Sequence, residues 1–245
     1  MTEYEGGLSM LDSGQPAKLL TFVALDRLKI APAMDLGALL GDRVDGCKVH
    51  TLIMRSGAAQ IIPPLKKKFR LVFADMKLHD TPDTVAEQVK ILVDADADFI
   101  TVHAQGGVKM IKAAKQAAGK TKILVVTLLT SLTRPMVVRI SNGTRERVLA
   151  DLVQVGAEGG ADGFICSVWD IKEVRANLIN PENYFIICPN IRLPGQSSDG
   201  HDKVATPQEA RKGRANAIVL GRHVVEDPDP VAALESFIQN AYQTT

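Results

Sequence analysis

The chain has 245 residues, of which 46% are hydrophobic and 23% charged, a balance that excludes a disordered protein and suffices for a large core without disulfides or metal. Its 29 Lys and Arg nearly cancel its 28 Asp and Glu, so charge makes no case for nucleic acid or an anionic membrane as partner. No apolar run approaches the roughly 20 residues that span a bilayer, and the N-terminus lacks the basic-then-apolar pattern of a signal peptide; a cytoplasmic protein is expected. Cys47, Cys166 and Cys188 are odd in number, widely spaced and set in apolar runs. They read as buried free thiols rather than disulfides or metal ligands.

Residues 1–17 are irregular and contain glycine, and are expected to form a surface extension before a catalytic domain over 18–245. Short apolar runs then recur at Leu19–Leu25, Gly46–Val49, Leu71–Ala74, Phe99–Val102, Ile123–Leu128, Gly163–Ser167, Phe185–Cys188 and Ala217–Leu220. They do not alternate polar with apolar, as expected of parallel strands covered on both faces. Between them, Thr84–Asp94, Arg145–Gly159 and Pro230–Ala241 gather apolar residues at helical spacing, and Val108–Ala118 follows the fourth run. Thr206-Pro207 offers an N-cap followed by Pro at the first helical position. Eight strands alternating with helices in one undivided chain predict an α/β fold, the (β/α)8 TIM barrel. A doubly wound open sheet, the alternative, would usually carry a Gly-rich loop after its first strand, where this chain has Asp26-Arg27-Leu28. No linker splits the chain, and no internal repeat is visible beyond the strand–helix alternation.

In such a barrel, catalytic groups stand at the C-terminal ends of strands. The first run ends in Asp26, for which capping the next turn is an equal reading. Lys48 stands near the end of the second run and alone would be a solvated charge. The third run leads into Asp75 and Lys77, which on a regular strand project to one face. A plain salt bridge is the usual reading of Asp-x-Lys, but the strand-end position and Lys48 beside it favour a functional Lys-Asp-Lys cluster. Asp80 follows in a loop, where a helix-start carboxylate is the plain reading, and Thr81-Pro82-Asp83-Thr84 opens a helix. His79 and His103 are expected to be hydrogen-bonded structural residues rather than catalytic bases.

The pattern Asp75-x-Lys77-x-x-Asp80-x-Pro82-x-Thr84, with Lys48 upstream, resembles the signature of the orotidine monophosphate decarboxylases. Further matches run over about residues 19–240: Ala24-Leu25-Asp26, Thr101-Val102-His103-Ala104, Thr127-Leu128-Leu129-Thr130-Ser131, Pro189-Asn190-Ile191-Arg192 and Ile218-Val219-Leu220-Gly221-Arg222. The resemblance implies a charged tetrad of Lys48, Asp75, Lys77 and Asp80, with Lys77 as proton donor to pyrimidine C6. It implies a homodimer in which Asp80 and Thr84 serve the neighbouring subunit's site. Asp26, Lys48 and Thr84 resemble ribose contacts, and Thr130, with Ser131 beside it, a further ligand contact. Two departures stand out. Many relatives have Gly at the position of Asn190, and the Gln that many bacterial relatives carry before the last Thr-Pro is absent, with His201 nearest that place. Gln196 is the favoured substitute for it as the loop contact between phosphate and pyrimidine.

These residue types suit the implied reaction, the conversion of orotidine monophosphate to uridine monophosphate without metal or cofactor. Loss of carbon dioxide from an sp2 ring carbon leaves a carbanion with no adjacent electron sink, so the protein must stabilise charge electrostatically. An ammonium at Lys77 can do this and then protonate the carbon, while Asp75 favours the cationic form and orients it. Barrels often bind phosphate after strands seven and eight, where Arg192 and the Gly221-Arg222 pair stand. The long polar segment Pro189–Lys203 is expected to close over that phosphate. A magnesium-dependent sugar-phosphate decarboxylase or aldolase shares the short Asp-x-Lys-x-x-Asp motif. Pro82, Thr84 and Gly221-Arg222 favour the nucleotide instead, and the complete tetrad argues against a catalytically silent phosphate-binding barrel.

Overall fold

The computed structural model describes residues 18–197 and 204–243. The eight apolar runs close into a parallel barrel in chain order, with β1 paired to β8. The strands are β1 (Leu20–Ala24), β2 (Gly46–Val49), β3 (Leu71–Leu78), β4 (Phe99–His103), β5 (Lys122–Val126), β6 (Gly163–Ile165), β7 (Phe185–Cys188) and β8 (Ala217–Leu220). Residues of alternate pleat point inward. Phe22, Phe73 and Phe99 meet edge to face at 5.8 to 6.2 Å between ring centres, and with Leu124, Ile187, Ala217 and Val219 they fill the lumen. The opposite pleat packs outward against the helices and forms the larger core with Val23, Cys47, Val72, Ile100, Val125 and Ile218. All three cysteines are buried free thiols, as expected.

The helical layer is richer than the apolar spacing predicts. Expected helices are α4 (Pro82–Asp94), α5 (Gly107–Ala117), α7 (Arg145–Glu158) and α11 (Pro230–Tyr242), each within two residues of its expected bounds. Thr206 caps α9 (Pro207–Lys212) in a reciprocal box with Glu209. Sequence spacing does not show α1 (Ile30–Leu40), α2 (Thr51–Ser56), α3 (Ala58–Lys66), α6 (Arg134–Ser141), α8 (Ile171–Ala176) and α10 (Arg222–Val225). Four of these are eight residues or fewer, too short to declare a period, and α3 carries Pro63 and Pro64 in its body.

A repeat does exist beyond the strand–helix alternation, at the N-terminal face of the barrel. Each even-numbered strand is entered through Asp45, Asp98, Asp162 or Asn216. The backbone N–H of each donates to the carbonyl of Thr21, Val72, Ile123 or Ile186 on the preceding odd strand, at 2.9 to 3.0 Å. Its side-chain oxygen accepts the N–H of that same residue, at 2.7 to 2.9 Å. The reciprocal pair satisfies a strand-end N–H that the ladder would leave unpaired. A cation backs each clamp: Lys18 and Arg70 on Asp45, Lys66 on Asp98, Lys115 and Lys122 on Asp162, and Arg175 on Asn216.

Candidate active site

At the opposite, C-terminal mouth, the strands leave a cavity of about 440 Å³. Its floor is the top of the apolar lumen, with Phe73, Val126, Ile165, Ile187 and Val219 lining it. Polar residues stand one layer higher. Asp26, Lys48, Asp75, Lys77, Thr130, Arg192, Gly221 and Arg222 all line this one space, as do Arg27 and Asn190. The mouth therefore gathers Asp75 and Lys77 of the third strand and the cations after β7 and β8 into one site.

Asp75 continues the inward pleat of Leu71 and Phe73 and is buried. Its Oδ2 accepts from the ammonium groups of Lys77 at 2.6 Å and Lys48 at 3.2 Å. Lys48 also donates to Asp26 Oδ2 in a short contact. Asp26 Oδ1 accepts the backbone N–H of His50 at 2.6 Å, so Asp26 both holds Lys48 and supports the start of α2. The expected capping of the turn after β1 is not its role: that turn closes through the Leu28 N–H and the Leu25 carbonyl, and the Asp26 side chain reaches across to the end of β2 instead. Burial alone would raise the Asp75 carboxyl, but the two ammonium groups outweigh it and hold the group below its usual range. Burial likewise disfavours the charged form of Lys48, yet Asp75 and Asp26 together hold its ammonium above its usual value.

Asp75 and Lys77 do reach one cavity, but not by regular strand alternation. Ala74 pairs with Ile100 and Leu78 with Val102, so three residues of β3 stand opposite one of β4. Lys77 takes a left-handed backbone, φ 51°, a conformation that costs a non-glycine residue about 1 kcal/mol or more. The buried Thr101 hydroxyl pins this bulge: it accepts the Lys77 N–H at 2.8 Å and donates to Asp75 Oδ1 at 3.0 Å. His50 Nδ1 adds a contact to the Asp75 carbonyl at 2.8 Å. Neither Thr101 nor His50 emerges as a site residue from the sequence. The signal for Thr101 was a single hydroxyl at an inward position among the apolar residues Phe99, Ile100 and Val102.

Other expected residues separate from the cavity. Asp80 and Thr84 are exposed and outside its lining; Asp80 Oδ1 accepts the Thr81 N–H at 2.6 Å, and the Thr84 and Thr81 hydroxyls lie 2.9 Å apart. Thr130 faces inward, whereas Ser131 is exposed and not among the lining residues, because the tight turn from Leu129 to Leu132 points successive side chains apart. The Gln196 side chain turns back on its own loop, accepting the Leu193 N–H at 2.9 Å. His201 and the rest of residues 198–203, the C-terminal end of the Pro189–Lys203 segment, lie outside the described residues. His103 departs from the expected hydrogen-bonded role at one atom: its Nδ1 is buried without a partner. Its ring centre lies 5.5 Å from that of His79, and burial, His79 and Lys77 hold its pKa below the usual value.

After β7 and β8 the cavity wall is cationic. Arg192 is buried, and its Nε donates to the Ser197 carbonyl at 3.1 Å. A Cβ on Gly221 would meet nothing within 4 Å, so this glycine leaves the wall open beside Arg222. Among the described residues, no group of three or more His, Cys, Asp and Glu has the arrangement of a metal site, and no helix is long and apolar enough to cross a membrane.

Residues 20–237 match the family model described as orotidine 5'-phosphate decarboxylase / HUMPS family. The chain is 32% identical over 222 residues to an orotidine 5'-phosphate decarboxylase of Oenococcus oeni, covering 89% of this chain and 96% of that one. It is 36% identical over 210 residues to the enzyme of that name from Lactobacillus acidophilus, covering 80% and 88%. The crystal structure of a Lactobacillus acidophilus orotidine 5'-phosphate decarboxylase superposes with a TM-score of 0.76 at 30% identity, over 92% of this chain and all of that one. The chain belongs to the orotidine 5'-phosphate decarboxylase / HUMPS family.

Proposed function

We propose that this chain is a carboxy-lyase that converts orotidine 5'-monophosphate to uridine 5'-monophosphate and carbon dioxide in pyrimidine biosynthesis. The observation that carries the reading is the continuous chain Asp26–Lys48–Asp75–Lys77, held on one wall of an apolar-floored cavity. Decarboxylation breaks the bond between C6 and the carboxylate carbon and leaves the electron pair on C6. The Lys77 ammonium stabilises that developing charge and gives C6 its proton, and the resulting amine regains one from solvent. Because the stabilisation rests on fixed charges in a partly dry site, it needs little reorganisation during the reaction. No metal or organic cofactor takes part.

Asp75 plays two parts. It orients Lys77, and its negative charge beside the substrate carboxylate disfavours the ground state, a stress relieved when carbon dioxide leaves. Arg222, Gly221 and Arg192 hold the phosphate, whose remote binding energy can serve the reacting centre. Asp26 and Lys48 take the ribose, and Thr130 reads the base. Gln196 reaches the ligand only after leaving its present hydrogen bond to Leu193.

The working unit is a cytoplasmic homodimer with shared sites. Asp80 and Thr84 are exposed and outside the lining of their own cavity, a position that supports their use by a partner subunit, where Asp80 completes the tetrad and Thr84 meets ribose. The direct test uses chelator-treated protein, orotidine monophosphate and the loss of orotate absorbance. Turnover without added metal is expected. No turnover there, with magnesium-dependent turnover of a pentulose or hexulose phosphate, would overturn the reading.

A further inference from the structure

Asn190 follows β7 at the neck of the segment that carries Arg192 and takes φ 62°, in the left-handed region. Glycine is the usual occupant of such a position and asparagine one of the few side chains that visits it routinely. The backbone requirement would be met by glycine; the side chain adds something else. Asn190 Nδ2 donates to Thr130 Oγ1 at 2.9 Å, across sixty residues of chain, and both residues line the cavity. The neck is closed just beyond: the Ala205 N–H donates to the Asn190 carbonyl at 3.3 Å, and the Arg192 N–H to the Ala205 carbonyl at 2.9 Å. Asn190 therefore joins the end of β5 to the base of the phosphate-side segment.

The polarity of this bond matters. An amide nitrogen can only donate, so the Thr130 oxygen is the acceptor and its own O–H remains to be donated elsewhere. Resting on the functional reading above, we propose that Asn190 is a positioning residue that fixes the Thr130 hydroxyl as a hydrogen-bond donor towards a carbonyl oxygen of the pyrimidine. The amide holds the hydroxyl in the bound geometry before substrate arrives, which lowers the ordering cost of binding. Because that contact lies on the base rather than on the carbon that reacts, it acts on substrate and transition state alike and governs KM more than kcat.

Four variants test this in the full-length protein with orotidine monophosphate. Asn190→Gly keeps the left-handed backbone and removes only the amide; KM is expected to rise about three- to tenfold, the range of one neutral hydrogen bond, with kcat within about twofold. Asn190→Asp presents a carboxylate that accepts from the threonine instead of donating to it, reversing the bond, and should raise KM further. Thr130→Val combined with Asn190→Gly should be no worse than Thr130→Val alone, since both changes remove one path. A purely structural role would instead lower the fraction of active enzyme, and so kcat, at constant KM. An Asn190→Gly variant with KM and kcat both within twofold of wild type, or one that loses only kcat, overturns the assignment. An inactive wild-type chain overturns the functional reading beneath it, and the assignment with it.

Discussion

The N-terminal face and the C-terminal mouth of the barrel are built from the same pairing, aspartate with lysine, and the pairs are equally buried. Side-chain exposure is 14% and 16% for Lys66 and Asp98 at the N-terminal face, and 13% and 10% for Lys48 and Asp75 at the mouth. Burial alone therefore does not separate scaffold from site. What separates them is the neighbourhood of the carboxylate. Asp98 holds one lysine and a backbone N–H of the adjacent strand, and Asp45 and Asp162 each hold two cations and such an N–H. Asp75 holds no strand N–H; it stands between two ammonium groups, beside an open cavity, on a strand that bulges where it presents Lys77. Their protonation equilibria move in opposite directions. Burial raises the Asp98 carboxyl despite Lys66, whereas at Asp75 two cations overcome burial and lower it. The N-terminal clamps tie down strand-end N–H groups, and the mouth turns its charges towards an open cavity.

Substitutions can break this contrast, and the largest effect is expected at the mouth. Asp75→Ala leaves two ammonium groups 13% and 35% exposed without their common partner, and kcat/KM for orotidine monophosphate should fall at least about 10³-fold, as when a preorganised electrostatic group is lost. Arg222→Ala should raise KM by about 10- to 100-fold by removing a charged hydrogen bond to phosphate, with a smaller effect on kcat; an unchanged KM would move the phosphate site elsewhere. Mixing Lys77→Ala with Asp80→Ala subunits should recover up to about a quarter of wild-type activity if random exchange rebuilds one intact site per heterodimer. No recovery despite demonstrated exchange would count against a shared site.

At the N-terminal face the expected loss is in stability. Asp98→Ala strips Val72 of its acceptor and Lys66 of its nearest partner, at an expected cost of about 2–4 kcal/mol in denaturant unfolding with KM unchanged. The smallest effect is the pH dependence, where the two ends should have opposite slopes. Asp75 is lowered in the fold, so its contribution is present above the unfolded carboxyl value of about 3.9 and is lost as pH falls through its folded value. Asp98 is raised in the fold, so the folded state binds its proton more readily, and its contribution grows as pH falls towards 3.9. Carbon-detected NMR titration of the two carboxyls reads this directly, and matching shifts would erase the contrast.

Much of the barrel was legible because buried parallel strands are continuous apolar runs, and β2, β7 and β8 fall on the expected residues. Strand ends were less so. Thr127, Leu128, Cys166 and Ser167 stay buried after the ladder has ended, and hydropathy registers burial, not strand pairing. β3 runs four residues beyond expectation because its last turn of chain is charged. The clamp repeat was hidden by spacing, its partners lying 24, 26, 39 and 30 residues apart. At the site, the charged residues were visible as a motif. The supporting roles of Thr101, His50 and Asn190 were not: Thr101 acts through two hydrogen bonds, and His50 and Asn190 each through one, all to residues distant in sequence.

The comparison between the two ends turns on a pair of lysines. Wild type, Lys77→Ala and Lys66→Ala can be assayed together for metal-free turnover of orotidine monophosphate and for thermal midpoint. Lys77→Ala should keep a midpoint within a few degrees of wild type and lose turnover by at least about 10³-fold. Lys66→Ala should keep turnover and lose several degrees. Turnover by Lys77→Ala close to that of wild type would contradict the role of Lys77 as proton donor.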